Sequence, residues 1–461
     1  MSDTISTRIP ASCPAPVSQI LYYAWHHDLG RLKRLLEAPG RASVREPTTG
    51  ETPLHAAIRS CAPVNQSALK GRNDGTSTEG SADDSRVADN ATAVVNELFR
   101  SGAIWNDVDS NNETPGCVAA RLGLRPLYML CVAAGVRAEL LFSLLDGYEE
   151  LESNGSEEMM DGEEEKGQAG VGDSKEPREV GREGTEETNS TRYTNDADAA
   201  IQISAAESMV VAVDPGRTFS PPRHVAEPDV NSEDYLRSSL TYSEGKLVDS
   251  SRNGVMMSWE TSIMRASVDA LLPGLPSGRR ILNIGFGMGI IDSMFSATLP
   301  SKHHIIEAHP SVLEHINSKP DSKFGGEWAK SGPGEGAYQI LAGRWQDVVP
   351  SLLEQGEIYD AIYFDTFGED YGQLRMFFTE YVPSLLDEKG VFGFFNGLGA
   401  DRQICYDVYT QVVGLHLSDA GMDVEWQELG VDMTDLEKEG EGEWQGVKRR
   451  YWTLDSESIH D

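Results

Sequence analysis

Basic residues are in short supply. The chain of 461 residues holds 39 Lys and Arg against 74 Asp and Glu, a formal net charge of −35. Nonspecific binding to nucleic acid or to an anionic membrane needs a basic footprint, so neither is expected and a basic partner is favoured. Cysteine is scarce as well. Cys13, Cys61, Cys117, Cys131 and Cys405 are odd in number and form no C-x-x-C pair, which implies a reducing compartment and no structural zinc. No apolar run reaches the ~18 residues of a membrane span, and the first residues, MSDTISTRIPASCPAP, lack the apolar core of a signal peptide. These absences lead us to expect a protein of the cytoplasm and nucleus that carries no metal.

The length is too great for one ordinary core, and composition divides the chain. Between Asp146 and Ser190 there are sixteen Asp or Glu against four Lys or Arg, with few aliphatic residues. Such a stretch buries too little apolar surface to offset its ordering entropy, so 148–230 reads as an acidic disordered linker. A second polar stretch, near 62–90, reads as a disordered loop insertion.

Upstream of the linker, residues 18–147 read as two or three degenerate ankyrin-like α-helical repeats. The T-P-L-H-x-A string at Thr52–Ala57 carries the signal: Thr caps a helix, Pro occupies its first turn and His ties adjacent loops together. A weaker copy stands at NNETPGCVAARLG, 111–123. Repeats of this kind ordinarily form protein-binding surfaces.

From 231 to 461 the pattern alternates strands with helices, and its most informative run is ILNIGFGMGIID, 281–292. An apolar strand meets Gly285, Gly287 and Gly289, residues without Cβ that allow a sharp bend and close approach to a ligand. A dinucleotide fingerprint counted from Gly285 requires glycine at 290, where Ile290 stands. G-x-G-x-G suits S-adenosylmethionine better, although an ordinary α/β turn looks alike. Further strands are read at 303–308, 338–342, 359–365 and 391–396, each followed by a helical pattern. MDVEWQEL and KRRYWTL read as a terminal hairpin giving the sheet an antiparallel edge. The expected fold is α/β, a class I S-adenosylmethionine-dependent methyltransferase of Rossmann-like, mostly parallel sheet.

Ligands of open α/β sheets sit at the carboxyl ends of the strands. There the second strand ends in Glu307, placed to accept two ribose hydroxyls, with His309 beyond it. Trp345 and Gln346 follow the third strand, where they suit an adenine by stacking and hydrogen bonding, though Trp345 suits a core equally well. The fourth strand ends in Asp365, and upstream Glu260 sits among Met256, Met257 and Trp259. A buried carboxylate is costly unless paired, which points to a cationic group brought by the substrate.

Taken together, NGVMMSWE, ILNIGFGMGIID, IIEAHP, GRWQDV, YDAIYFDTF and the ankyrin-like N-terminus resemble the fungal arginine N-methyltransferase 2 family, relatives of guanidinoacetate N-methyltransferase. The resemblance implies S-adenosyl-L-methionine as cofactor, contacted by Tyr242, Met257, Phe286, Gly287, Met288, Gly289, Ile290, Ile291, Glu307, Ala308, His309, Trp345, Gln346 and Asp365. It also implies that Glu260 and Asp365 hold the guanidino group, with Asp365 as proton acceptor. Monomethylation of the delta nitrogen of arginine in a basic, large-subunit ribosomal protein is implied in the same way, with a monomeric enzyme and the repeats as docking surface. Two alternatives stay open: a small-molecule guanidino methyltransferase, and an ankyrin interaction protein whose methyltransferase domain is inactive.

Overall fold

The computed structural model describes residues 4–62, 80–145, 232–318, 323–430, 436, 440–451 and 458–460. The expected linker at 148–230 lies outside them.

The N-terminal layer is helical. A short α1 (Ile5–Arg8) precedes α2 (Ala15–Trp25), α3 (Leu29–Leu36), α4 (Pro53–Arg59), α5 (Gly80–Arg100), α6 (Pro115–Arg121) and α7 (Arg125–Leu145). Thr52 and Thr114 cap α4 and α6, each accepting from the backbone N–H three residues on, with proline in the first turn where no N–H is needed. His55 spans two loops: Nε2 lies 2.9 Å from the Glu113 carbonyl and Nδ1 2.8 Å from Thr52 Oγ1. Burial pushes its pKa down to about 4, so the ring stays neutral. Beneath it the buried Arg59 guanidinium is enclosed by Glu51, Asp109 and Glu113. The polar insertion expected as a loop over 62–90 is helical from Gly80 onward. Ala91, Val94, Val95 and Leu98 anchor α5 in the core, and once anchored a proline-free segment propagates helix upstream at low cost.

The second layer opens with α8 (Ser232–Arg237) and centres on a five-stranded sheet of β4 (Arg280–Ile284), β5 (Lys302–Glu307), β6 (Tyr338–Ala342), β7 (Tyr359–Phe364) and β8 (Leu386–Phe394), with α11 (Pro310–Ser318) and α12 (Gly326–Lys330) between β5 and β6. Its order is β6-β5-β4-β7-β8, every pairing parallel, with Ile281 opposite both His303 and Ala361. Strands such as Tyr359–Phe364 are apolar on both faces because helices cover both. One face packs against α9 (Thr261–Leu271) and α10 (Ile290–Ala297) through Val268, Met294 and Phe295. The other packs against α13 (Trp345–Glu354) and the C-terminal half of α16 (Gln403–Asp419) through Val349, Val413 and Leu417. The helix read after β7 is broken into α14 (Tyr371–Met376), a wider turn at Phe377–Tyr381, and α15 (Val382–Leu385), because Pro383 removes a helical donor.

The two layers share one core. Ile404, Cys405, Val408 and Val412 of α16 are buried in the same cluster as the N-terminal helices, and Tyr128 of α7 donates to Asp407 at 2.6 Å. Among the described residues α7 is the one helix long and apolar enough to cross a membrane, and one face of it is packed on α6 and α16.

Two features depart from the sequence reading. A small antiparallel sheet, β1 (Thr241–Ser243), β2 (Lys246–Val248) and β3 (Gly254–Met257), precedes α9. Among the described residues the terminal hairpin is not an edge of the main sheet: β9 (Glu428–Gly430) pairs with β10 (Ser458–His460) in a separate two-stranded ribbon. Residues 440–451 instead cross beside β3, where Gly254 N donates to Arg449 O at 3.0 Å. The aromatic rings explain the detour, since Trp444 is fully buried and Tyr451 packs edge-on to it at 5.3 Å.

Candidate active site

The strand order reverses between β4 and β7, so the crevice at their carboxyl ends is where a ligand is expected. The turn after β4 is built for close approach. Gly285 has φ +96°, and a Cβ there would lie 1.9 Å from the Asp365 carbonyl oxygen, so any other residue would force the ends of β4 and β7 apart. Behind the turn, Asn283 Nδ2 donates to Gly285 O and to Asp292, each at 2.8 Å, and Asp292 faces His303 Nε2 at 3.0 Å. That buried chain fixes the path of the glycine backbone.

A cleft opens over this turn, and the structure brings many of the expected residues to it. Glu260, Gly287, Glu307, Ala308, Trp345, Gln346 and Asp365 all line it. Tyr242, Met257, Phe286, Met288, Gly289, Ile290, Ile291 and His309 stand outside its lining. Several of these buttress the wall. Tyr242 donates to Gly287 O at 3.0 Å while its ring stacks on His315, and His309 Nε2 meets Tyr235 O at 2.9 Å. Met257 is buried against Tyr406 and Trp444.

Glu307 lies at the end of β5, where its carboxylate accepts from Phe286 N at 2.9 Å and His309 N at 2.6 Å. Burial raises its pKa while these amides oppose the rise. Two carboxylate oxygens offer about four acceptor positions, so capacity remains for hydroxyls from a ligand. Trp345 is 2% exposed, with Phe364, Phe377 and Tyr381 packed edge-on to it. The core therefore holds its ring, although it also borders the cleft. Gln346 Oε1 is buried without a hydrogen-bond partner, an acceptor awaiting a donor.

Glu260 and Asp365 meet in the same cleft from β3's side and from the end of β7. Glu260 Oε1 accepts from Met257 N at 2.7 Å and from the Tyr451 hydroxyl. Burial, then the charge of Asp365, push its pKa up to about 8, against the opposing hydrogen bonds of Tyr451 and Met257. The carboxylates Glu260, Glu307, Asp365, Glu369 and Asp370 line the cleft against a single cation in its lining, Arg344. Such a cavity favours a cationic guest, which would restore Glu260 to its ionised form.

Two residues here escaped the sequence reading. Tyr451 comes from a segment read as a strand, and only the aromatic spacing of Trp444 and Tyr451 hinted at burial. Glu369, in the loop after β7, accepts from Trp345, Gln346 and Thr366. Its signal was the acidic run of FGED directly behind Asp365.

Comparison with known proteins agrees with this arrangement. The profile of the guanidinoacetate N-methyltransferase family matches residues 241–416, which hold the small sheet, the glycine turn and both facing carboxylates. Protein arginine N-methyltransferase 2 of Gibberella zeae is 55% identical, covering 100% of this chain and 95% of the relative. Its namesake in Neurospora crassa is 54% identical over 99% and 97% of the two chains, and that of Aspergillus fumigatus 42% over 95% and 94%. Identity on this scale extends through the helical layer as well as the sheet, and so this chain belongs to the protein arginine N-methyltransferase 2 family.

Proposed function

We propose that this methyltransferase uses S-adenosyl-L-methionine to monomethylate the delta nitrogen of an arginine in a basic protein, a large-subunit ribosomal protein in particular. The single observation that carries the reading is the pair Glu260 and Asp365 in one acidic cleft beside a glycine turn. The cleft fits the cofactor: Glu307 suits the ribose hydroxyls, and the partnerless Gln346 Oε1 suits an amino donor on the base. When bound, the cofactor supplies an electrophilic methyl group.

The residues of this chain then have separate tasks. Arginine resists alkylation because its guanidinium stays protonated, with a pKa above about 12, and delocalises its lone pairs. Glu260, held by Met257 N and the Tyr451 hydroxyl, pairs with the cation and fixes its plane. Asp365, anchored by its backbone N–H to Ile284 O at 2.9 Å, accepts the proton released as the new bond forms. Enzymes acting on terminal guanidino nitrogens commonly carry two glutamates on one short loop, and no clear equivalent stands here, which supports the delta position. The helical layer over 18–147 acts as an ankyrin-like docking surface for the substrate protein. The enzyme works as a monomer in cytoplasm and nucleus.

The test is incubation with isotopically labelled cofactor and ribosomal proteins, followed by fragmentation mass spectrometry. Fragment ions of delta-methylarginine in one basic protein are expected. Labelling confined to terminal nitrogens, or no protein labelling at all, would overturn the reading.

A further inference from the structure

We propose that Tyr371 and His416 are a positioning pair: their hydrogen bond latches α14, one wall of the cofactor cleft, to the last turn of α7, so that the helical layer contributes to cofactor affinity. The inference rests on the cofactor reading of the cleft above and concerns two residues outside its lining.

Helix α14 serves two partners. Asp370, its N-cap, and Leu374 line the cleft, and Gln373 Oε1 accepts from Gln346 Nε2 at 2.9 Å. Tyr371 and Arg375, one turn apart, reach the helical layer instead. Tyr371 packs against the core of that layer and against the core of the sheet, and its hydroxyl meets His416 Nδ1 on α16. His416 Nε2 in turn lies 3.3 Å from Ser143 Oγ, and Arg375 Nη1 donates to the Ser143 carbonyl at 3.3 Å. Ser143 stands in the last turn of α7. Both of its polar groups are thus tied to α14, one through Arg375 and one through His416.

Counting protons fixes the direction of each bond. Ser143 has one hydroxyl proton, and it goes to the Leu140 carbonyl at 2.9 Å. Toward His416 its oxygen can only accept, so Nε2 carries the imidazole proton and Nδ1 keeps a lone pair. Burial, then the charge of Arg375, hold the His416 pKa below its ordinary value against the pull of Asp419, which keeps the ring neutral. Burial also keeps the Tyr371 hydroxyl protonated, and it donates to Nδ1. A chain of bonds between two packed elements carries energetic coupling from one to the other. Here it runs from α7 through α16 to the cleft wall.

Isothermal titration calorimetry of the full chain with S-adenosylhomocysteine provides the test. Tyr371→Phe should bind about 3- to 10-fold more weakly, the worth of one net hydrogen bond. His416→Leu removes the same bond from its other side and should match it, and the double variant should be no weaker than either. The KM for S-adenosylmethionine should rise by the same factor while kcat at saturating cofactor stays within ~2-fold, because bound cofactor itself holds the wall. Tyr128→Phe is the control. It cuts the bond from Tyr128 of α7 to Asp407 of α16, whose acceptor is charged, so it should cost at least as much in urea denaturation yet leave cofactor affinity within ~2-fold. Unchanged affinity in Tyr371→Phe or His416→Leu, additive losses in the double variant, or an equal loss in Tyr128→Phe overturns the latch alone. If the unaltered chain does not bind S-adenosylhomocysteine, the cofactor reading falls and takes the proposal with it.

Discussion

Tyr451→Phe isolates one hydrogen bond to Glu260, the carboxylate that the proposed mechanism gives to the guanidinium. The substitution removes the hydroxyl that donates to Glu260 Oε1 and leaves the Met257 amide in place. Glu260 starts from a pKa of about 8, raised by burial and by Asp365 and lowered by Tyr451 and Met257. A hydrogen bond to a charged acceptor contributes about 1.5–3 kcal/mol, and one pH unit corresponds to about 1.4 kcal/mol, so its loss should raise the pKa by about 1–2 units. Tyr451 itself titrates well above its ordinary value, because burial and Glu260 disfavour a second anion, and it remains a donor over the whole range. The sign follows from the substrate's charge. A guanidinium pairs with ionised Glu260, so kcat/KM should rise with pH below the pKa and level off above it. The bend should stand near pH 8 in the parent and near 9–10 in the variant. At pH 7.5 the variant should be slower by about 10- to 80-fold, while the two approach each other above the bend. Initial rates of methyl incorporation into an arginine peptide, from pH 6 to about 10.5 at saturating cofactor, provide the measurement. A bend that does not move, or a uniform loss at every pH, would refute the reasoning, because either result makes Tyr451 packing alone.

Other consequences are equally open to measurement. Asp365→Asn should lower kcat by about 100-fold or more, roughly 3 kcal/mol, and shift the Glu260 bend to lower pH because one cause of its elevation is gone; near-normal turnover would remove Asp365 from its role. Gly285→Ala, with its Cβ 1.9 Å from the Asp365 carbonyl oxygen, should cost about 1–3 kcal/mol in urea denaturation and weaken S-adenosylhomocysteine binding, and an unchanged midpoint would contradict the crowded turn. Deletion of residues 1–145 should uncover Ile404, Cys405, Val408 and Val412, at about 1–2 kcal/mol each, and lower the melting temperature by more than about 10 °C. A fragment as stable as the full chain would show the layers to be independent.

The main sheet was legible because its strands are continuous apolar runs that stop at glycine or a carboxylate, as at Ile284 and Phe364. The placement of the strand-end residues was legible for the same reason: Glu307, Gln346 and Asp365 stand at or just beyond the carboxyl ends of parallel strands and line the cleft. The small sheet was not, since β1 and β2 have three residues each and only Leu247 among them is buried, too few for any period to emerge. KRRYWTL has the alternation of a strand, but Tyr451 is drawn to Trp259 and Trp444, a tertiary preference that overrides a local one. Glu369 was hidden for another reason. Its importance comes from donors on α13, and no local pattern announces a partner more than twenty residues away.

The core shared by α7 and α16 imposes an order on synthesis. Helix α7 leaves the ribosome roughly 270 residues before α16 is complete, an interval of about 15–55 s at ~5–20 residues per second. Throughout that interval the nascent N-terminal half presents Cys131, Val132 and their neighbours with their eventual cover still unmade. Its maturation is thus timed by the last helix of the sheet domain, and a slow codon or a chaperone between the two would act on the helical layer as much as on the catalytic one.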